Sequence, residues 1–493
     1  MTRYLSTTCI LSVLFFFTPE VHALTEAEAI QIALENNPNV KVRRILLSSD
    51  SLELKKAKAD AGVQVSVSGE NLLELHPATH YTYSGNDSTV RTVESALGGS
   101  VATHVPGGGK ISASIEGRGL RDLDTSETDF TTTASLAISQ PLLRDAWSNA
   151  PMDYQINIEM KNLNISFEKF RGQMLDILSG VRESYLDWIS ALKTVGIREA
   201  ELLYTHNALK YERARYILGE KAEMDTLTAA LELLRARENL MAATYEEKRA
   251  RERFALEMGR GIGDPYENDS PLELVPELVD STIAISPIPS ADAIMKKIEE
   301  NNYEFKLLET TGEILELQYS NHKNSLLPRL DVSTGISSTQ RGERLFASGS
   351  ATSASNIFDP WIGITFTHDF LSKSHRYRKK QAELSLQSNA IEKQDFIKRQ
   401  KVAVDEFVDA WARDSARLEI RSAEVIIAEK NHEYAVERYQ LGEIDNLAKL
   451  KAQSDLINAR LNKLYAEVNL KRLEIAVDKA TANVFDRFGV KLK

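Results

Sequence analysis

The hexapeptide RYILGE at Arg215–Glu220 recurs as RYQLGE at Arg438–Glu443, 223 residues later. Around it the two halves keep step: Ala236-Arg237 matches Ala459-Arg460 and Asn239 matches Asn462 at the same offset. A second set of matches, at an offset of 265, pairs Asn36-Asn37 with Asn301-Asn302 and Val63–Ser68 with Pro328–Ser333. One unit is therefore written twice: helix, strand region, long helix, RYxLGE turn, helix. The fall from 265 to 223 leaves 42 extra residues in the first half, the size of one long β-hairpin with its loops. The expected division is a first repeat over 24–259, a connector over 260–290, a second repeat over 291–485 and a tail over 486–493. The connector holds Pro265, Pro271, Pro276, Pro287 and Pro289, which marks a linker.

The helical parts are long. Proline-free stretches over about 152–218 and 374–441 each predict a helix of roughly 65 residues, ~100 Å at 1.5 Å per residue. Shorter helices are expected over 25–61 and 224–258. After each turn the pattern is heptad-like, with Leu447, Leu450, Ile457, Leu461, Leu464, Val468 and Ile475 at a and d in the second half. Met224, Leu227, Leu231, Leu234, Met241 and Tyr245 do the same in the first, which predicts coiled-coil packing. Gly219 and Gly442 stand where a reversal between helices needs left-handed backbone. On local grounds alone the repeated motif is a helix cap and turn.

Two regions, about 63–140 and 329–371, alternate with period two. Val63, Val65 and Val67 oppose Gln64, Ser66 and Ser68; Ile362, Ile364 and Phe366 oppose Gly363, Thr365 and Thr367. Strands are expected at about 63–75, 93–105, 109–121, 129–140, 329–340 and 360–371. The alternation suits a membrane barrel with a wet lumen, and it also suits a soluble two-layer sandwich. Six strands are too few to enclose a lumen, so a wall in lipid would have to be shared by several chains. The run Pro106-Gly107-Gly108-Gly109-Lys110 imitates a phosphate loop. It lacks the Gly at His104 and the Ser or Thr at Ile111, and reads as a hairpin turn.

A net charge of −11 with no basic block argues against a nucleic-acid partner. Residues 1–23 read as a secretory signal, with Arg3 before an apolar run from Ile10 to Phe17 and Val21-His22-Ala23 at the cleavage site. The only cysteine, Cys9, falls inside it, so a mature chain starting near Leu24 has no thiol chemistry. No nucleophile elbow, zinc motif or dinucleotide fingerprint is present, and no catalytic residue, cofactor or metal ligand is expected.

Four stretches carry a family likeness: Leu24–Val40 (LTEAEAIQIALENNPNV), Gln140–Trp147 (QPLLRDAW), Asn324–Gly335 (NSLLPRLDVSTG) and the two RYxLGE turns. Together they resemble the TolC-like outer-membrane efflux proteins over essentially the whole mature chain. The resemblance implies a mostly α fold with a β-barrel portion: long antiparallel helical hairpins forming a periplasmic α-barrel, and a transmembrane β-barrel shared by a homotrimer. It implies a passive exit duct of a tripartite efflux or type I secretion system, docked on a periplasmic adaptor and an inner-membrane pump of RND or ABC type, and no enzyme. Arg215, Tyr216, Gly219, Glu220, Arg438, Tyr439, Gly442 and Glu443 would be periplasmic tips touching the adaptor. Asp225 and Tyr439 would lie at the entrance constriction, although an acid near a helix start also explains Asp225. Two acidic positions of the family fall here on Ala448 and Lys451, which departs from its cation-binding ring. The extra hairpin would make 18 strands in a trimer against the family's more usual 12, unless it lies outside the wall. The second reading, a periplasmic adaptor-like coiled-coil protein with a soluble β domain, does not call for the full internal duplication.

Overall fold

The computed structural model describes residues 24–77, 89–122, 128–260, 289–342, 358–370 and 373–490. The expected signal segment with Cys9, nearly all of the Pro-rich connector and the end of the tail lie outside these residues. Nine helices and six strands are found among the described residues, in the order α1 (Glu26–Asn36), α2 (Pro38–Asp60), β1 (Gln64–Pro77), β2 (Thr89–Val105), β3 (Gly109–Asp122), β4 (Thr128–Pro141), α3 (Pro151–Ile217), α4 (Glu223–Glu257), α5 (Ala291–Asn301), α6 (Tyr303–Asn324), β5 (Arg329–Gly342), β6 (Phe358–Thr367), α7 (Ser374–Gln440), α8 (Asn446–Ala480) and α9 (Asn483–Arg487). Helices α3 and α7 have 67 residues each, and α4 and α8 have 35 each.

The first element of each half is broken in two. Pro38 removes a donor and pushes Asn37 out of the helical region, to φ −59° and ψ 122°. Asn302 breaks the second half without a proline: its side chain accepts from the amides of Glu304 and Phe305 at 2.9 and 3.2 Å and starts α6. The matched Asn-Asn pairs are therefore helix breaks, where the spacing had suggested continuous helices.

The chain divides into two compact units. One comprises the described residues 24–41, 174–260, 289–298 and 403–490. Its core is helical. Leu186 of α3 packs against Leu464, Val468 and Ile475 of α8, and Ile294 and Ile298 of α5 pack with Val404 and Val477. Each such buried aliphatic side chain is worth about 1.5–3 kcal/mol. The heptad positions of α8 are buried from Leu450 to Ile475, as the spacing predicted, while Leu447 is exposed. Those of α4 differ: Met224, Leu227, Leu231, Leu234, Met241 and Tyr245 are exposed. Helix α4 buries its small face instead, with Ala229 and Leu233 against Leu209.

The other unit comprises residues 42–173 and 299–402 and holds the sheet. Its strands run β1-β2-β3-β4-β5-β6, each antiparallel to the next. The expected strand limits agree to within four residues, and all six strands belong to one ladder. The Gly-rich run 106–110 is the β2–β3 turn, with Gly107 and Gly108 at φ +90° and +88°. Gln140 and Trp147 close on it: the Gln140 amide and the Trp147 backbone N–H both donate to the Gly107 carbonyl, at 2.9 and 3.0 Å. The register gathers apolar residues on one face. Val65 pairs with Val101, Val101 with Ala113, Ala113 with Leu136, Leu136 with Ile336. Val332 then pairs with Ile364. The opposite face is polar, with Ser66 bonded to Ser100, Ser114 to Ser135 and Arg118 to Glu94. Among the described residues no helix is long and apolar enough to cross a membrane.

Candidate functional site

Each RYxLGE motif is a complete helix stop. The amide of Glu220 donates to the carbonyl of Arg215 at 3.0 Å, and Gly219 donates to Tyr216 at 2.9 Å. Glu443 to Arg438 and Gly442 to Tyr439 repeat the pattern at 2.9 and 3.1 Å. These are the six-to-one and five-to-two bonds of a Schellman motif, with glycine at the left-handed position. Gly219 and Gly442 have φ +74° and +77°. The side chains close the same loop: Arg215 donates to Glu220 at 2.9 Å, and Arg438 to Glu443 at 3.0 Å. Both ion pairs are exposed, so each contributes little beyond holding the turn's shape. The hexapeptide is thus read out by its own backbone: Arg and Tyr supply carbonyls, Gly the turn, Glu the returning amide and carboxylate.

The two tyrosines of the motif have opposite surroundings. Tyr216 is 45% exposed, whereas Tyr439 is 2% exposed. The Tyr439 phenol donates to the carboxylate of Glu212, which is itself fully buried. Lys449 of α8 reaches the same Glu212 oxygen at 3.4 Å and stands 3.9 Å from the centre of the Tyr439 ring. Lys221 lies over that ring at 5.3 Å, and Tyr211 meets it edge-on at 6.1 Å. The cause of the asymmetry is in the sequence. At the 223-residue offset, Ala435 stands opposite Glu212 and Thr226 opposite Lys449, so Tyr216 is offered neither the acceptor nor the cation.

Burial, reinforced by the Glu212 carboxylate, raises the Tyr439 phenol well above its ordinary range, which keeps it a hydrogen-bond donor. Burial also lowers the Lys449 ammonium, with Glu212 opposing that shift and Lys221 adding to it. The cluster is therefore costly to bury and specific in geometry. Glu212 Oε2 and both amide atoms of the buried Asn446 have no hydrogen-bond partner among the described residues. Asp445 caps α8 by accepting from the Ala448 amide at 2.8 Å, while its counterpart Ala222 gives α4 no side-chain cap.

The expected site residues are brought together only in part. Each Arg–Glu pair is joined within its own turn, and Tyr439 is held by Glu212 and Lys449. Asp225 lies half-buried in the first turn of α4, where the helix dipole favours an acid. Lys451 is exposed beside Ala448, in an open groove that α7 and α8 line with Ile420, Ile427 and Asp455. Glu212, Lys449, Lys221 and Tyr211 were not anticipated. Glu212 and Lys449 are 237 positions apart, and Lys449 falls off the apolar seam of α8, so no local pattern joins them.

No protein-family model and no curated protein sequence matches the chain. Solved structures do. The outer-membrane channel OprN is 16% identical, with 92% of this chain and 89% of that chain covered at a TM-score of 0.67. The outer membrane protein VceC of Vibrio cholerae is 14% identical, covered over 92% and 95%, with a TM-score of 0.66. The CmeC outer membrane channel of Campylobacter jejuni is 13% identical, covered over 95% and 90%, with a TM-score of 0.64. The chain has the fold of these channels over nearly its full length.

Proposed function

We propose that this protein is an outer-membrane exit duct of a tripartite efflux or type I secretion system. It would conduct substrate passively from an inner-membrane pump and its periplasmic adaptor to the exterior, with no chemistry of its own. The observation that carries this reading is the sheet: its register puts one apolar face across all six strands and a polar face behind it. A wall apolar on one side and wet on the other is what lipid outside and water inside require. The likeness in fold to outer-membrane channels points the same way.

On this reading several copies share the wall, since six strands cannot enclose a lumen alone, and the likeness to the efflux-protein family sets their number at three. The exposed stripe from Leu227 to Tyr245 on α4 is apolar surface that neighbouring copies would cover. The two halves, 24–259 and 291–485, act as structural repeats joined by 260–290, and residues 1–23 are removed on export. The turns at 215–225 and 438–448 form the periplasmic tips that meet the adaptor. Tyr439 and Asp225 stand at the entrance, and the Glu212–Tyr439–Lys449 cluster holds the second tip closed against the first half.

The test is a charge scan of the apolar sheet face. Ile362→Lys, Ile364→Lys and Phe366→Lys are expected to abolish assembly in the outer-membrane fraction, at a cost of about 2–4 kcal/mol per charge at mid-bilayer. Wild-type protein released as a soluble monomer without detergent would overturn the reading and favour the adaptor-like alternative.

A further inference from the structure

The sheet ends in two edges with no strand beside them among the described residues, one on β1 and one on β6. Each is a row of unpaired backbone donors and acceptors, which a hydrocarbon environment does not tolerate. The edges are made for each other. With six strands all antiparallel, β1 and β6 run in opposite directions, so β1 of a second copy continues the ladder antiparallel.

The faces fix the parity of that joint. In β1 the apolar residues are Val65 and Val67; in β6 they are Ile362, Ile364 and Phe366. Setting Gln64 opposite Thr367 brings Val65 to Phe366 and Val67 to Ile364, and carries the apolar face on without a break.

The stagger then matches a closed barrel. A straight walk across the ladder from Gln64 passes Ala102, Ser112, Ala137 and Gly335 to Trp361. Trp361 stands six residues before Thr367, so the ladder climbs six residues over six strands. One residue of ~3.4 Å per strand spacing of ~4.8 Å is a tilt of about 35°. Closed barrels tilt their strands by about 35–45°.

We propose that β6 of one copy pairs with β1 of the next, Gln64 opposite Thr367, with the β2–β3 hairpin inside the wall. In the trimer proposed above, on which the copy number rests, this closes an 18-stranded barrel. Its backbone radius is about 17 Å, from the strand spacing and tilt, against about 11 Å for 12 strands at the same tilt. Barrels of 16–18 strands hold an aqueous channel. A barrel of that width is too wide to select small solutes.

The test replaces Cys9→Ser and introduces Ser66→Cys with Thr365→Cys, directly opposite in the proposed joint and on its polar face. Opposed strand residues lie within the ~5.5 Å Cα separation that suits a disulfide. Oxidation in outer membranes is expected to give a covalent trimer on a denaturing gel. The flanking combinations of Ser66→Cys with Gly363→Cys or Thr367→Cys are expected not to; a trimer from either overturns the register. A covalent dimer or tetramer as the largest species overturns the count. Electron microscopy of the detergent-extracted wild type gives the second readout, with 18 strands expected. A trimer with 12 strands and the β2–β3 hairpin outside the wall overturns this inference and leaves the exit-duct reading standing. A protein that is not in the outer membrane at all overturns that reading itself.

Discussion

Tyr439, the second residue of one RYxLGE turn, donates its phenol to Glu212, a fully buried acid of the other half of the chain. Lys449 completes the triangle, 3.4 Å from the carboxylate and 3.9 Å from the ring centre. Tyr439→Phe keeps the ring and removes the donor. A lost hydrogen bond to a buried charge is worth about 1.5–3 kcal/mol. Amide hydrogen exchange at 436–450 should accelerate by roughly one to two orders of magnitude in this variant. Tyr216→Phe, at the exposed counterpart, should leave exchange at its own turn unchanged. Equal effects at the two turns would contradict the asymmetry.

Two glycines with nearly the same φ should respond very differently to alanine. A Cβ on Gly219 meets nothing within 4 Å, so Gly219→Ala carries only the left-handed backbone cost of about 1–2 kcal/mol. Gly259 has φ +78°, and its Cβ would lie 2.5 Å from the Asn37 backbone, whose side chain donates to the Glu257 carbonyl at 2.6 Å. Backbone cannot step aside as a side chain can. Gly259→Ala should lower the thermal midpoint several-fold more than Gly219→Ala does.

His432 should make the stability of the helical unit depend on pH. It is buried edge-on against Tyr204, and burial, with Arg460 and Lys449 nearby, lowers its pKa below 6.5. The unfolded chain therefore binds the proton first. Stability is full above about pH 6.5, the unfolded value, and falls as pH drops toward the lowered folded value. Exchange protection around 428–436 should weaken between pH 7.5 and 5.5, and His432→Gln should flatten that dependence. A profile unchanged by His432→Gln would rule the group out.

Arg182 is a buried cation with two acids: Glu26 of α1 at 2.5 Å and Asp478 of α8 at 2.9 Å. Arg487 of α9 also reaches Asp478, at 2.6 Å. Without Arg182, Asp478 keeps Arg487 while the partly exposed Glu26 loses its partner, so the loss should fall below the about 3–5 kcal/mol of a fully stranded buried charge. Arg182→Met should release α1, seen as new proteolytic cleavage near residues 26–36. The double variant with Glu26→Gln should recover part of the loss.

Much of the fold was legible because it rests on local rules. The limits of the long helices follow from proline and glycine placement, and the strands from strict alternation at Val63–Ser68 and Ile362–Thr367. The RYxLGE turns close through bonds that span five residues, so the hexapeptide carries its own structure. The Gly-rich run at 106–110 declared a turn by the same token. Helix breaks at Asn37 and Asn302 were equally local, and the matched Asn-Asn pairs signalled them without revealing what they did.

What the sequence by itself determined was the order of long helices, turns and strands, because helix stops, caps and period-two alternation are decided within a few residues. Only the tertiary structure decided which faces are covered. The α4 seam from Met224 to Tyr245 is apolar at heptad spacing yet lies outward, while the face that carries Ala229, Leu233 and Ala236 is the buried one. The β2–β3 hairpin joined the sheet because backbone pairing to β1 and β4 put it there. Tyr439 and Tyr216 read alike in the chain and differ in space, since burial depends on Glu212 and Lys449 arriving from 227 and 10 positions away. Distance in space, which sets burial and charge coupling, is the one quantity a linear pattern does not contain.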